Sequence, residues 1–477
     1  MSKVYLLGAG PGDIALTTLK TIEVLKKADC VLYDRLVNPK LLDYCSKNTE
    51  ILFVGKQKGH HYKKQAEINA LLLEKIKTHK IIARLKGGDP YVFGRGSEEA
   101  SFLYEHGIDF EVVPGISSSV AVCTYAGIPI THRDLSRAFH VYSAHTSENK
   151  LANIDFDAIA KSEETHIFLM GLTKLNQIVE KLVSAGKRKD CPIAILSKGT
   201  TPDQKVLVST LENVLEDFEK NPLESPAIIV VGEVIALRDS LNFYERKPLF
   251  GKKYFFPKVN DVPANLTNLL EEQGAHVKEI VVSKCVKKEV EYTSSDYLVF
   301  SSKNSVNFFF ENLLNQQKDI RSLWKTKICA LGKMTQKELL KYGIKADIVP
   351  KEYTSQSLEE ELLKVVNKED VVCIPKDEDV KDKWLGLEQA CQVQYLLLYK
   401  KVEQEYECCE YPNILCTCSS SVQNILSKHD YPKDTVFYSI GPRTSETIRK
   451  FGYTNIVESK EHSYQGMYET ILEREGK

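Results

Sequence analysis

An internal repeat in the second half of the sequence constrains the fold more than any single motif does. Each copy has the spacing Gly-x-x-Thr, followed eight residues after the threonine by another glycine. These residues are Gly332, Thr335 and Gly343 in the first copy, and Gly441, Thr444 and Gly452 in the second. Both copies predict the order strand, Ser-rich turn, helix, strand, glycine turn, helix. Two similar α/β lobes are therefore expected, with ligand-binding loops at the C-terminal ends of their strands.

Strands and helices also alternate through the first half. Residues 4–7 form an apolar strand that leads into a Gly-rich turn, residues 14–28 carry a helical apolar stripe, and residues 30–33 form the next strand. The alternation continues to residue 231, which predicts the α/β class. Pro and Gly in residues 113–115 predict a hinge between two lobes.

Composition excludes several partners. The 477 residues carry a net charge of −1, which gives no general attraction to nucleic acid or membranes. No apolar run approaches the length that spans a bilayer, so we expect a cytoplasmic protein. The twelve cysteines form no CxxC pair and the histidines no HExxH pattern. Reduced, buried thiols are expected, with a zinc or redox site as the alternative.

The first Gly-rich turn, Gly-Ala-Gly-Pro-Gly-Asp at residues 8–13, admits more than one interpretation. A dinucleotide-binding fingerprint, as in a nicotinamide oxidoreductase, needs a third glycine where Asp13 stands, and Pro11 restricts the loop. The Asp13 carboxylate would repel a pyrophosphate, although it could cap the helix. An ordinary structural turn is the other alternative.

Further motifs follow this turn in order. They are Tyr-Asp-Arg-Leu at 33–36, Gly-Lys at 55–56, the long Arg-Leu-Lys-Gly-Gly-Asp-Pro phrase with Phe-Gly-Arg-Gly and Glu-Glu at 84–99, Val-Pro-Gly-Ile-Ser at 113–117, Gly-Ile-Pro-Ile-Thr-His-Arg at 127–133, Met-Gly-Leu at 170–172, Gly-Thr-Thr-Pro-Asp at 199–203 and Val-Gly-Glu-Val at 231–234. This series resembles the uroporphyrinogen-III C-methyltransferases of the tetrapyrrole methylase group over residues 3–245. A two-lobed methylase domain at 1–246 is implied, with lobes at about 1–114 and 115–246.

The resemblance implies an S-adenosylmethionine cofactor, S-adenosylhomocysteine as product, and no metal. Gly87 and Gly88 also suit a loop whose backbone approaches a ligand closely. Asp34 and Lys56 match the proposed proton acceptor and donor, with a surface ion pair or strand-end cap as the alternative. The implied cofactor-binding residues are Pro11, Gly87, Gly88, Asp89, Val92, Ser117, Ser118, Met170 and Gly199.

Uroporphyrinogen carries many carboxylates, and basic side chains lie within or beside the motifs. Arginine forks suit carboxylate binding, although a solvated or intramolecular partner is an alternative for each residue. The candidates are Arg35, Arg84, Lys86, Arg95, His132 and Arg133.

The second half resembles uroporphyrinogen-III synthase over about residues 249–477. The resemblance lies in Val-Phe-Ser-Ser at 299–302, Ala-Leu-Gly at 330–332, Val-Pro at 349–350 and Ile-Gly-Pro at 440–442. Where that family opens with Thr-Arg-Pro, this chain has residues 255–258, ending in Lys258. The resemblance implies a two-lobed domain at 247–477, with lobes at about 290–395 and at 249–280 plus 403–477. Residues 281–286 and 396–402 would be paired linker strands, and residues 245–251 the inter-domain linker.

The implied activity of this half is closure of hydroxymethylbilane to uroporphyrinogen III. Tyr399 matches the tyrosine thought to help the hydroxyl leave, although an ordinary strand aromatic is as consistent with its context. Candidates for binding substrate carboxylates are Ser302, Thr417, Ser420 and Thr444, with local turn bonding as the alternative.

A bifunctional enzyme is thus predicted, which closes hydroxymethylbilane and methylates the product twice to precorrin-2. The alternative is an active methyltransferase with a ligand-sensing, non-catalytic pair of C-terminal lobes. We expect small tetrapyrrole substrates, no nucleic-acid or membrane partner, and a homodimer formed through the methyltransferase half.

Overall fold

Short strands and helices alternate throughout the computed structural model, which describes residues 2–55, 65–146, 150–260, 264–379 and 383–476. The described residues form four five-stranded sheets. Two compact units contain them, one of Met1–Lys252 with Leu270–His276 and Glu475–Lys477, the other of Lys253–Leu269 with Val277–Arg474. None of the described helices is long and apolar enough to cross a membrane.

The first sheet is entirely parallel and has the strand order β3-β2-β4-β1-β5. Its strands are β1 Lys3–Gly8, β2 Cys30–Tyr33, β3 Glu50–Phe53, β4 Ile81–Lys86 and β5 Asp109–Val113. Successive side chains of β1 point to opposite faces, so Leu7 packs with Leu25 on one face and Leu6 with Leu72 and Leu103 on the other. Because all five strands are parallel, their C-terminal ends lie at the same edge of the sheet.

The predicted helix at residues 14–28 is wrong in its start. Asp13 caps a short 3-10 turn, Ile14–Leu16, and Thr18 then caps a separate helix, Leu19–Lys27. The Thr18 hydroxyl accepts from the Thr21 N–H at 3.3 Å, which satisfies one free donor of the first turn. The sequence also suggested that the Asp13 carboxylate could cap a helix, and it does cap the 3-10 turn by accepting from the Ala15 N–H at 2.9 Å.

The second sheet is mixed and has the order β6-β7-β10-β8-β9. Its strands are β6 Phe139–Ser143, β7 Thr165–Leu169, β8 Pro192–Ser197, β9 Lys205–Thr210 and β10 Ala227–Val231. Because β10 is antiparallel to both β7 and β8, these two strands run in the same direction and end at the same edge.

Helices cover both sheets of the first unit. They are α1 Leu19–Lys27, α2 Gln65–Ile76, α3 Gly96–Glu105, α4 Ser118–Tyr125, α5 Phe156–Lys161, α6 Leu175–Ser184, α7 Val214–Lys220 and α8 Arg238–Leu241, with 3-10 turns at Ile14–Leu16, Pro39–Tyr44, Leu172–Lys174 and Glu233–Leu237. Two residues of the expected linker at 245–251 have internal contacts, since Leu249 is fully buried and Glu245 pairs with Arg238 at 2.6 Å.

The second half contains the other two sheets. One has the order β12-β11-β18-β19-β20, with β11 Lys253–Lys258, β12 His276–Val281, β18 Asn413–Cys416, β19 Val436–Ser439 and β20 Ile456–Glu458. The other has the order β13-β17-β16-β14-β15, with β13 Ser283–Lys287, β14 Tyr297–Phe300, β15 Lys327–Ala330, β16 Val371–Asp377 and β17 Gln392–Glu403. The repeated sequence pattern thus lies in two separate sheets.

Helices of the second half follow the repeat. They are α9 Asn265–Glu272, α10 Lys303–Asn315, α11 Lys333–Leu340, α12 Ser355–Leu363, α13 Leu385–Ala390, α14 Ser419–Lys428, α15 Pro442–Lys450 and α16 Tyr464–Glu475, with a 3-10 turn at Ile320–Leu323. Strands β13 and β17 pair antiparallel, from Ser283 opposite Glu403 to Lys287 opposite Tyr399. The linker strand predicted at 281–286 spans a break, because Val281 ends a strand of one sheet and Ser283 begins a strand of the other.

Candidate functional site

Three glycines bring three loops into backbone contact at the C-terminal edge of the first sheet. A Cβ added to Gly115 would lie 2.2 Å from the Gly88 carbonyl oxygen, and one added to Gly8 would lie 2.4 Å from the Gly115 nitrogen. Gly10 and Gly88 also exchange backbone hydrogen bonds of 2.8 and 3.2 Å. The sequence needs glycine at these positions because any side chain would separate the loops.

Asp89 organises the loop after β4. Its Oδ1 accepts from the N–H groups of Tyr91 at 2.8 Å and Val92 at 3.1 Å, and its Oδ2 accepts from the Gly115 N–H at 3.0 Å. Gly88, with a φ of 70°, lets the chain turn before it. The carboxylate therefore ties the β4 and β5 loops together, and its contact with a cofactor stays a prediction.

Four of the predicted cofactor residues lie in the second lobe, namely Ser117, Ser118, Met170 and Gly199. Ser117 caps α4, and the Ser118 nitrogen lies 3.9 Å from the Cβ position of Gly88. Gly199 lies flat against α4, where an added Cβ would be 2.2 Å from Val122 Cγ1. Met170 follows β7 at the same edge of the second sheet, with a φ of 58° and 45% exposure.

The loop of Gly10-Pro11-Gly12 contacts the Gly88 loop on one side and the Gly199 turn on the other. The Cβ position of Gly12 is 2.9 Å from Thr200 Oγ1 and 3.5 Å from the Gly199 carbonyl oxygen. The structure therefore brings the loops carrying Pro11, Gly88, Ser118 and Gly199 together, and it places Met170 at the C-terminal end of β7.

Asp34 ends a chain of buried charges. Arg84 Nη2 donates to Asp34 Oδ1 at 2.7 Å, and Arg84 Nε donates to Glu99 Oε1 at 3.2 Å. Lys86 Nζ lies 3.0 Å from both Glu99 oxygens. Arg84, Lys86 and Glu99 are at most 3% exposed, whereas the Asp34 side chain is 30% exposed and open to the sheet edge.

This charge network explains two opposite pKa shifts. Burial, and then the neighbouring Arg84 charge, lower the pKa of Lys86. Burial also acts to lower the pKa of Arg84, but Glu99 and Asp34 together raise it above its ordinary value. Arg84 thus stays a cation beside Asp34. Arg84 and Lys86 were predicted to bind substrate carboxylates, and the structure instead places both in internal ion pairs, the alternative weighed for them.

The remaining predicted polar residues differ in placement. Lys56 lies outside the described residues; Gly55 before it packs against the backbone nitrogen of Arg35. Arg35, Arg95 and Arg133 are exposed. His132 is half-buried, and its Nδ1 accepts from the Asp134 N–H at 3.3 Å.

An apolar rim at this edge was missed from the sequence. Leu36, Tyr91 and Phe93 are between 48% and 54% exposed, and Leu36 lies against Gly87. Large apolar side chains are seldom left this accessible in a group unless a ligand or partner covers them. The signal was present, because all three belong to the motifs at 33–36 and 84–99.

In the second half, Ser302 and Tyr399 meet in one lobe. Ser302 caps α10 by accepting from the Ser305 N–H at 3.1 Å, which is the local bonding considered from the sequence. Tyr399 is 5% exposed and stacks on Phe308 with ring centroids 4.6 Å apart. Burial raises the pKa of Tyr399, and a hydrogen bond with Ser302 opposes that rise.

The other predicted residues of this half lie in the second lobe, after β18 and β19. Thr417 and Ser420 are half-buried, and Thr417 hydrogen-bonds the Tyr464 hydroxyl. Thr444 is 4% exposed in the first turn of α15. Lys258 is 5% exposed and pairs with Glu279 at 2.7 Å, so its charge is already neutralised inside the lobe.

Comparison with known proteins assigns both halves. Residues 3–215 match the family of tetrapyrrole (corrin/porphyrin) methylases, and residues 284–469 match uroporphyrinogen-III synthase HemD. Porphyrin biosynthesis protein HemD of Ruminiclostridium josui is 34% identical over 492 residues, which cover 98% of this chain and 97% of that protein. The chain belongs to the tetrapyrrole methylases that carry a uroporphyrinogen-III synthase domain. Both family resemblances and the predicted fold class are confirmed.

Two further relatives match the methylase half alone. Uroporphyrinogen-III C-methyltransferase of Methanocaldococcus jannaschii is 46% identical over 239 residues, covering 50% of this chain and 98% of that protein. A crystal structure of the Thermus thermophilus uroporphyrin-III C-methyltransferase, complexed with S-adenyl homocysteine, is 38% identical. It covers 50% of this chain and all of that chain, with a TM-score of 0.44.

The cysteines form no disulfide bond in the structure. All twelve are free, and burial raises the pKa of Cys30 to about 11 and that of Cys123 to about 12. Among the described residues, one group of metal-ligand type stands out, Cys30 with Glu50 and His79. Glu50 there already pairs with Lys75 at 2.6 Å, and the group lies at the N-terminal edge of the first sheet, away from the converging loops.

Proposed function

We propose that the methylase half transfers methyl groups from S-adenosylmethionine to uroporphyrinogen III, and that the synthase half makes this substrate from hydroxymethylbilane. The observation that carries the first activity is the convergence of the Gly8, Gly88 and Gly115 loops beside Asp34. Loops at the C-terminal ends of parallel strands, with free space over Gly88, suit a ligand bound through backbone groups.

The residues present fit this cofactor. The Ser118 N–H, at the start of α4, can donate to a polar ligand, Gly88 has no side chain to block that approach, and Gly199 lets its loop pack directly on α4. When bound, S-adenosylmethionine supplies an electrophilic methyl group. The chain has to align the accepting carbon with that group and remove the ring proton afterwards.

Asp34 is our candidate for the proton acceptor. Its carboxylate is partly exposed at the loop edge, and Arg84 fixes one oxygen at 2.7 Å, which leaves the other oxygen available. Arg84 and Lys86 would then act through Asp34 and Glu99 rather than by touching substrate. The exposed Arg35, Arg95 and Arg133 remain candidates for substrate carboxylates, and the apolar rim for the macrocycle.

For the synthase half we propose that Tyr399 assists departure of the hydroxyl. Its contact with Ser302 and its stacking on Phe308 fix the ring, and the reaction needs loss of a hydroxyl more than a nucleophile. Ser302, Thr417, Ser420 and Thr444 lie near helix N-termini, where carboxylates are favourably bound.

One experiment separates the two activities in the intact chain. Purified protein is given uroporphyrinogen III with S-adenosylmethionine in one reaction, and hydroxymethylbilane without it in another. We expect precorrin-2 from the first and the type III isomer from the second. Because hydroxymethylbilane closes unaided to the type I ring, a type I product alone would overturn the synthase proposal and favour a ligand-sensing lobe pair. No methylated product in the first reaction would overturn the methylase proposal.

We also propose a homodimer formed through the methylase half. Val208, Leu241 and Phe243 are each about half exposed there, which gives this half apolar surface for a second copy. Light scattering on the intact chain tests this, with Leu241→Glu expected to shift the mass towards the monomer. A cytoplasmic location also stays a prediction, which cell fractionation tests.

A further inference from the structure

A polar network joins the two lobes of the methylase half, next to the loop that carries Pro11. It consists of Asp13, Tyr125, Thr200, Gln204 and Glu245, and we call it the clasp. Asp13 comes from the loop after β1, Tyr125 ends α4, Thr200 and Gln204 follow β8, and Glu245 follows α8. None of these residues was singled out as a binding or catalytic residue from the sequence.

Gln204 is the centre of the clasp. Its Oε1 accepts from the Thr200 N–H at 2.9 Å, and its Nε2 donates to the Tyr125 carbonyl oxygen at 3.2 Å and to Glu245 Oε1 at 2.8 Å. Gln204 is 3% exposed, so each of these partners would lose its bond without a water to replace it.

Thr200 is held in a conformation that its side chain disfavours. Its φ is 63°, in the left-handed region that a β-branched residue seldom occupies, and Lys198, two residues earlier, has a φ of 48°. Such backbone persists only where the surroundings determine it, and it is commonly found beside functional sites. Here the Gln204 carboxamide binds the Thr200 N–H and so stabilises the turn that carries Gly199.

The clasp continues from Thr200 to the loop of Pro11. Thr200 Oγ1 accepts from the Asp13 N–H at 3.3 Å, and the Tyr125 hydroxyl donates to Asp13 Oδ2 at 2.8 Å. The other carboxylate oxygen of Asp13 accepts from the Ala15 N–H at 2.9 Å. Asp13 is therefore tied at three points, and the loop before it packs so closely on the Gly199 turn that a Cβ added to Gly12 would lie 3.5 Å from the Gly199 carbonyl oxygen.

We infer that Gln204 is a positioning residue of the cofactor site, which holds the Gly199 turn and the Pro11 loop at the separation the cofactor needs. Gln204 itself does not touch the cofactor. This inference rests on the proposed cofactor site, and it adds a residue whose effect is on cofactor affinity rather than on proton transfer.

The test is Gln204→Met in the intact chain, which keeps the side-chain length and removes the carboxamide. Calorimetry should show S-adenosylhomocysteine binding weakened about tenfold or more, while kcat at saturating S-adenosylmethionine falls less than threefold. Gln177→Met, an exposed position on α6, is the matched control and should leave both unchanged. Unchanged affinity in the folded Gln204→Met protein would overturn the inference.

Two further variants keep the test decisive. If Gln204→Met does not fold, as judged by thermal unfolding, Thr200→Val replaces it, because it exchanges the Oγ1 that binds Asp13 for a methyl group and keeps the shape of the side chain. Weaker binding then supports the inference, and unchanged binding overturns it. The double variant Gln204→Glu with Glu245→Gln gives residue 204 an oxygen that accepts from the Thr200 N–H, and gives residue 245 an amide that donates to residue 204. It should therefore bind S-adenosylhomocysteine more tightly than Gln204→Met does. If the wild-type chain itself does not bind S-adenosylhomocysteine, the proposed cofactor site fails instead.

Discussion

Replacing Asp34 with asparagine removes one charge from the buried network and keeps its shape. The amide oxygen can still accept from Arg84 Nη2, now 2.7 Å from Asp34 Oδ1. Arg84 retains Glu99 as a charged partner, and the side chain at 34 is 30% exposed, so water can solvate it. We therefore expect the free energy of unfolding to fall by only about 1 kcal/mol. For a domain of this size the melting temperature should fall by about 2–4 °C.

The effect on turnover should be much larger. Loss of a general acid or base commonly costs about a hundredfold or more in rate, which is about 2.7 kcal/mol in the activation barrier. Cofactor affinity should stay within a few-fold of the wild-type value, because Asp34 follows β2, whereas the loops that converge around Gly88 follow β1, β4 and β5. Steady-state kinetics with uroporphyrinogen III gives kcat, and calorimetry gives the S-adenosylhomocysteine affinity.

Asp109→Asn is the matched control, since this exposed carboxylate lies 3.7 Å from Lys3 at the N-terminal end of β5, on the edge of the sheet opposite to the converging loops. It should change neither quantity. Equal losses of affinity and rate in Asp34→Asn would show a structural carboxylate, and an unchanged kcat would refute its role as proton acceptor.

Three other outcomes are expected. Gly88→Val should weaken S-adenosylhomocysteine binding about tenfold or more, because a β-branched residue is strained at a φ of 70°. Gly107→Val is the control, since Gly107 has a φ of 64° and open space around it. Equal affinities of the two variants would show that the Gly88 loop is not part of the cofactor site. Tyr399→Phe should slow closure of hydroxymethylbilane and leave the proportion of type III isomer unchanged, whereas lost selectivity at an unchanged rate would assign the tyrosine to positioning of the terminal ring. Burial lowers the pKa of His166 from 6.5 to about 4, so between these values the unfolded chain binds a proton that the folded chain does not. The free energy of unfolding of the methylase half should therefore decrease as the pH is lowered, by about 2 kcal/mol between pH 7 and pH 5. The variant His166→Phe should abolish most of that dependence.

The α/β class, the two families and the repeat of the second half could all be predicted from the sequence. The two families were indicated by the resemblance of whole motifs, whereas the α/β class and the repeat depend on local information, namely the period of apolar residues and the spacing of glycines that turns require. The glycines at 8, 88 and 115 could be assigned to turns for the same reason. That they meet one another could not, because it depends on β1, β4 and β5 being neighbours in the sheet.

Only the tertiary structure decided which charged residues are free. Arg84 and Arg95 belong to the same motif and have the same side chain, yet Arg84 lies in a strand and pairs with Asp34 and Glu99, whereas Arg95 is exposed. The partner of a buried charge comes from whichever strand or helix the fold places beside it. The same holds for Gln204, whose partners are 4, 41 and 79 residues away along the chain. Sequence spacing carries no record of such contacts, because the energy that selects them arises only when the lobes pack and water is excluded.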